Sequence, residues 1–444
     1  SGAGSVTLLA TNDIVVSGSL TSSGGNITLN SDSDATNGGR IETQPGSTIQ
    51  TGGGNAILGG GADPTASPAI GNAAEPFGVY IRGTVDAAGG DISIRGLGED
   101  AAIIDRDGIR VVGGQIETTS GTITLNGTGG GGVANDHMGI RLVGNAVVQV
   151  TTGDIFATGI GGGGNATGIQ VIGSQVLATS GSINLTGIRD GGATDRAGII
   201  ANSPSTIGNS STTGPITLTT DSIALLGGVL ESDGALVIQP LTAGTSIGLG
   251  GGAGDLNLDD IELSLLQDGF SSITIGDAAA GTGAVDIDSS TFSDNITIVG
   301  GAINVTELDA GTNTVSLDAK TGSISGAISP DVLFGAFGVF GTVDPATGAF
   351  GQVSDPTQTI VGMARDPNTG TLYATSPTEL FTVDPTTGNL TSVGVFSGAA
   401  TNLDFHGLAF DGLTNTLFAT RPINSGTPGL YTVNTTTGAV ALVG

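Results

Sequence analysis

A five-residue unit, G-x-I-x-L, recurs along the first half of the chain and constrains the fold more than any other feature. It runs Gly25-Asn26-Ile27-Thr28-Leu29, Gly90-Asp91-Ile92-Ser93-Ile94, Gly121-Thr122-Ile123-Thr124-Leu125, Gly153-Asp154-Ile155-Phe156-Ala157, Gly181-Ser182-Ile183-Asn184-Leu185 and Gly214-Pro215-Ile216-Thr217-Leu218, with a weaker copy from Gly54. Successive copies lie 29, 36, 31, 32, 28 and 33 residues apart. A near-fixed period of this size marks a repeat architecture, in which one unit cannot bury its apolar face alone. Each copy is followed 15 to 18 residues later by a second apolar burst beginning at Gly108, Gly139, Gly168 or Gly198. A third burst precedes the next copy: Gln115 to Thr118, Val147 to Val150, Gln175 to Ala178.

Three strands and three corners in about thirty residues predict one coil of a parallel β-solenoid. Stacking would put Ile92, Ile123, Ile155 and Ile183 in one internal ladder and Ile109, Ile140, Ile169 and Ile199 in another. Alternation then turns Arg110, Arg141 and Gln170 toward water. Glycine is expected at the corners for the backbone angles that it alone reaches cheaply. An antiparallel sandwich is the alternative, and the agreement of the offsets disfavours it. From about residue 223 the apolar bursts close up to 7 to 12 residues apart. Long-looped coils are therefore expected to about residue 222, and shorter coils over 223–329.

Composition removes several function classes. The 444 residues include 81 Gly, no Cys and no Trp. Without Cys there is no disulfide scaffold, thiolate metal site or Cys nucleophile. Acids outnumber bases 40 to 11, for a formal charge of −29, so a basic face for nucleic acid is excluded. No apolar run is long enough for a membrane-spanning helix.

Residues 241–252 (LTAGTSIGLGGG), 256–266 (LNLDDIELSLL) and 269–276 (GFSSITIG) resemble the repeat region of filamentous-haemagglutinin-like bacterial surface proteins. The resemblance extends in style over residues 1–329. It implies a right-handed β-helix, secretion, and a role at the cell surface.

Near Pro330 the composition shifts toward Phe. A new repeat appears as Gly341-Thr342-Val343-Asp344-Pro345-Ala346-Thr347-Gly348, and again over 381–388 and 431–438. The D-P-x-T-G element between alternating strands is a hairpin signal. The segment resembles propeller repeats of the "LYxVDPxTG" kind, and its periods of 40 and 50 residues have the size of a blade. Closure needs at least four blades. Residues 330–444 are therefore expected to form a small, incomplete β-propeller-like domain.

Catalytic chemistry has little to work with. His137 and His406 are isolated, the single lysine, Lys320, falls in a repeat turn, and the clustered carboxylates of a glycan-cleaving site are not visible. His137 reads as an exposed loop residue and His406 as a structural one. No catalytic role and no cofactor are expected. Calcium at surface turns is the open possibility, with Asp32 and Asp34, Asp105 and Asp107, and Asp259 and Asp260 offering hard oxygen ligands. The competing reading is turn chemistry, which Asp also favours.

The expectation from sequence is thus a non-enzymatic extracellular protein that associates head-to-tail with copies of itself. The assembly residues would be Val6 and Leu8 in an uncapped first strand and Val440 and Leu442 in an edge strand at the other end. The alternative is an adhesin that holds a cell-surface glycan through loops 96–107, 127–138, 159–167 and 187–197. A carbohydrate-active enzyme is the remaining alternative.

Overall fold

The computed structural model describes residues 4–36, 38–100, 105–132, 136–164, 166–190, 197–311, 313–326, 333–336, 340–343, 350–354, 358–366, 369–385, 387–398, 405, 407–411, 414–421 and 429–443. The chain divides into two compact units, residues 1–328 and 329–444.

The first unit is a parallel β-helix. The G-x-I-x-L strands form one sheet of thirteen strands, and the second and third bursts of each repeat form two further sheets of eight strands each. All pairing within these sheets is parallel. Ile92 pairs with Ile123, Ile123 with Ile155 and Ile155 with Ile183, and all four are fully buried. Ile109, Ile140, Ile169 and Ile199 form the second ladder. Ile116, Val148, Val176 and Ile207 form the third. Together they make one continuous core.

The glycine that opens each unit serves space, not backbone angle. A Cβ on Gly121 would sit 1.9 Å from the Gly90 carbonyl oxygen, and one on Gly153 would sit 1.8 Å from that of Gly121. No side chain fits there. The glycines in left-handed conformation are others, such as Gly113, Gly144 and Gly173. A second glycine column pinches each coil where its long loop leaves. A Cβ on Gly127 would sit 2.1 Å from the Gly139 carbonyl oxygen.

The long loops are not independent projections. Their bases stack coil on coil, as Gly130 N–H donates to Arg106 C=O and Gly162 N–H to His137 C=O, both at 2.8 Å. They bury Arg106, Asp107, His137, Met138 and Thr167. His137, expected at the surface, is therefore interior, and its Nδ1–H donates to the Gly130 carbonyl at 2.6 Å. The loop tips at 101–104, 133–135, 165 and 191–196 lie outside the described residues.

Three-sided coils end with strand Val229–Glu231. Beyond it the second and third sheets are replaced by a single five-stranded parallel sheet, so the coil flattens to two sides. A one-turn helix, Asp260–Leu263, packs at this transition.

The second unit is antiparallel apart from one two-residue parallel pairing, Ser397–Gly398 with Ala439–Leu442. Its repeats give sheets of three, four and five strands. Two apolar cores lie between successive sheets. One contains Phe340, Leu372 and Phe381, and the other contains Tyr373, Phe405, Leu417 and Tyr431. The hairpins follow their sequence signal. Gly388 N–H donates to Asp384 C=O at 2.7 Å, and Gly438 N–H to Asn434 C=O at 2.9 Å. Both glycines have φ near +70°, which favours glycine. His406 lies outside the described residues.

Candidate functional site

The residues with most to say about function lie at the first coil. Strands Val6–Leu9, Ile14–Val16 and Ser19–Thr21 each pair on one side only, with Ile27–Ser31, Ile41–Thr43 and Thr48–Gln50. Among the described residues nothing meets their other edges. Three rows of backbone N–H and C=O groups therefore face outward together. The inward ladder is uncovered at the same place. Val6 and Leu8 stand above Ile27 and Leu29 in register, yet Leu8 is 38% exposed while Ile27 and Leu29 are fully buried. Leu9 is 67% exposed. An apolar coil end with three unpaired edges is a template for further parallel strands.

The last coil of the same unit also presents apolar positions. Val315 on strand Val315–Ala319 and Ile324 on strand Ile324–Gly326 are each 40% exposed. In the second unit the expected edge at 439–443 is partly closed. Strand Ala439–Leu442 pairs with Gly429–Val433 on one side and receives Ser397–Gly398 in parallel on the other. Val440 is consequently buried, whereas Leu442 remains 57% exposed. A donated strand would have to displace Ser397–Gly398.

The aspartates singled out for calcium have other work. Asp32 is buried in a turn at φ 48° and accepts from Thr36 N–H at 3.1 Å. Asp34, next to it, is exposed. Asp259 caps the short helix, accepting from Glu262 N–H at 2.9 Å while Glu262 Oε2 accepts from Asp259 N–H at 3.0 Å. Asp260 is the exposed residue following that cap.

Asp105 and Asp107 are paired with arginines. Arg110 reaches Asp105 at 2.8 Å and Asp107 at 2.6 Å, and Arg141 reaches Asp105 at 2.6 Å. The Arg110 guanidinium also lies over the Phe77 ring, 4.1 Å from its centroid. Burial pushes the Asp107 carboxyl up to about 6, against the pull of Arg110 and Arg141. Burial acts the same way on the more exposed Asp105, but the two guanidinium groups win and hold it below the usual carboxylate range. Among the described residues no three His, Cys, Asp or Glu side chains converge as metal ligands.

This cluster is part of a longer row on the outer face of the second sheet. Glu42, Tyr80, Arg110, Arg141, Gln170 and Ile200 stand in register on six successive coils. Glu42 is buried between Arg40, at 2.5 Å, and Arg82. Arg110 and Arg141, expected to face water, instead pair with Asp105 and Asp107 at the loop base, and Gln170, also expected to face water, is buried. The sequence reading missed the Glu42 group, because its partners come from residues 40 and 82, two coils that the repeat does not mark as charged.

A second row was also missed. The residue after each opening glycine is often Asn or Asp, and its side-chain oxygen accepts from the backbone of the next coil. Asn26 accepts from Asn55 N–H at 2.9 Å, Asn55 from Asp91 N–H at 2.9 Å, and Asp91 from Thr122 N–H at 2.8 Å. The recurrence of Asn and Asp at that place in the unit was the available signal.

Searches against protein-family models, curated proteins and solved structures return no match to this chain.

Proposed function

We propose that this chain is a non-catalytic structural protein of the cell exterior, a subunit that associates end to end with its own copies in a surface fibre, filament or sheath. The observation that carries the reading is the coil of Val6–Thr21, where, among the described residues, three parallel edges have no strand beside them and Leu8 is exposed. A coil end of this kind is satisfied by another coil in register. Stacking joins the backbone ladders and buries the apolar ladder in one step. A second copy presents such strands at its own exposed coil end. The surface location is supported by the resemblance of residues 241–276 to secreted solenoid proteins. Reading the second unit as an incomplete propeller is supported by three successive antiparallel sheets with apolar cores between them.

Sedimentation of the full chain tests this directly. Leu8→Glu together with Val6→Glu puts two charges on the coil end, Leu8 being exposed and Val6 half-buried against the ladder beneath. The proposal expects concentration-dependent association in the parent chain and its loss in the double variant, with the thermal transition retained. Association that survives both substitutions would reject the first coil as the contact.

A further inference from the structure

A groove of about 490 Å³ runs over the third sheet, crossing successive coils along the solenoid axis. One wall is the outward row Asp86, Glu117, Gln149 and Leu177, which stand in register on four coils. The other wall is the corner row Thr119, Thr151 and Thr179. No Arg, Lys or His lines it.

Several polar groups on these walls are already engaged. Gln115 and Gln149 both give their side-chain N–H to Glu117 Oε2, at 2.7 and 2.6 Å. Asp86 accepts from Ala88 N–H at 2.6 Å and from Gln50 Nε2 at 3.2 Å. The Thr119 hydroxyl donates to the Ala88 carbonyl. The acceptors that remain for a ligand include the second Glu117 oxygen, the Gln149 amide oxygen and hydroxyl lone pairs. The internal bonds also hold these groups in place before any ligand arrives, which reduces the entropy cost of binding.

We propose that this groove binds a linear, uncharged, polyhydroxylated chain, a neutral glycan lying along the solenoid axis. Hydroxyl donors suit an acceptor-rich wall, and hydrogen bonds to carboxylates are the stronger kind. Asp86 and Glu117 repel polyanions, which excludes acidic polysaccharides. The acceptor rows repeat at the coil rise of ~4.8 Å, close to the length of one extended pyranose unit, so each coil would meet one sugar. Leu177 gives an apolar patch for a sugar C–H face. This site lies on the sheet and not on the loops, and it does not depend on self-association.

Isothermal titration of the full chain tests it, using cellohexaose, mannohexaose and xylohexaose as neutral probes, with a polygalacturonate hexamer and a chitosan hexamer as charged controls. At least one neutral hexamer should bind and persist at high salt. Glu117→Ala and Gln149→Leu should each weaken it at least tenfold, with the thermal transition unchanged because both side chains point away from the core. Three results would overturn the proposal: no neutral hexamer binding at millimolar concentration, preference for either charged hexamer, or neutral binding unaffected by both substitutions.

Discussion

At Ile123 and Thr124, neighbours on one strand, the physics of the fold separates cleanly. Ile123 is fully buried between Ile92 and Ile155, while the outward Thr124 stands between Ser93 and Phe156. Ile123→Asp places a carboxylate in a dry ladder and should cost more than about 3 kcal/mol. Thr124→Asp should change stability by less than about 0.5 kcal/mol. Denaturant unfolding of both variants checks the register, and equal losses would contradict it. Gly121→Ala is a sharper case, because the new methyl would meet the Gly90 carbonyl oxygen of the coil below. A loss of about 1–3 kcal/mol or more is expected for such overpacking. Asp107 adds a pH signature. Its folded-state pKa of about 6 lies above the ordinary 3.8, so its contribution is fully present below about 3.8 and lost as pH rises through about 6. The stability of the parent chain relative to Asp107→Asn should therefore fall between pH 4 and pH 7. A gap in melting temperature that is flat over that range would contradict the buried placement of Asp107.

At the scale of elements, the coil is held by devices that repeat with it. The Asn and Asp row after each opening glycine continues the backbone ladder around the corner, where the strand itself stops. Asn55→Ala removes one such acceptor and should cost about 1 kcal/mol, measurable by thermal unfolding against Thr124→Ala as an outward-facing control. The strand ladders were legible because apolar alternation and a near-fixed offset report directly on which face is buried. What the loops do was not legible. Each loop differs in sequence from the next, and their stacking comes from backbone bonds such as Gly162 to His137, which carry no residue signature. His137 and Arg110 were assigned to water for the same reason, since nothing in one loop announces that the next will cover it. The glycine columns were visible, but their cause was not. Left-handed angle and close approach both select glycine, and only the distance between coils tells them apart. Partial closure of strand Ala439–Leu442 by Ser397–Gly398 was hidden too, because a two-residue parallel pairing leaves no pattern in the sequence.

For the whole molecule, charge and shape set the terms of assembly. A formal charge of −29 makes copies repel at neutral pH and low salt. Side-by-side bundling should increase with salt or divalent cations as screening shortens that repulsion, and light scattering indifferent to both would remove charge from the account. End-to-end stacking should depend less on salt, because it joins short-range backbone bonds and apolar side chains. The central claim is that copies continue one another's coils through the end at Val6 and Leu8. X-ray fibre diffraction from aligned assemblies tests it most directly. Coil-on-coil stacking predicts a meridional reflection near ~4.8 Å, because strands then lie across the fibre and coils advance along it. Fibres whose ~4.8 Å reflection falls on the equator, or preparations that contain only separate particles, would contradict it.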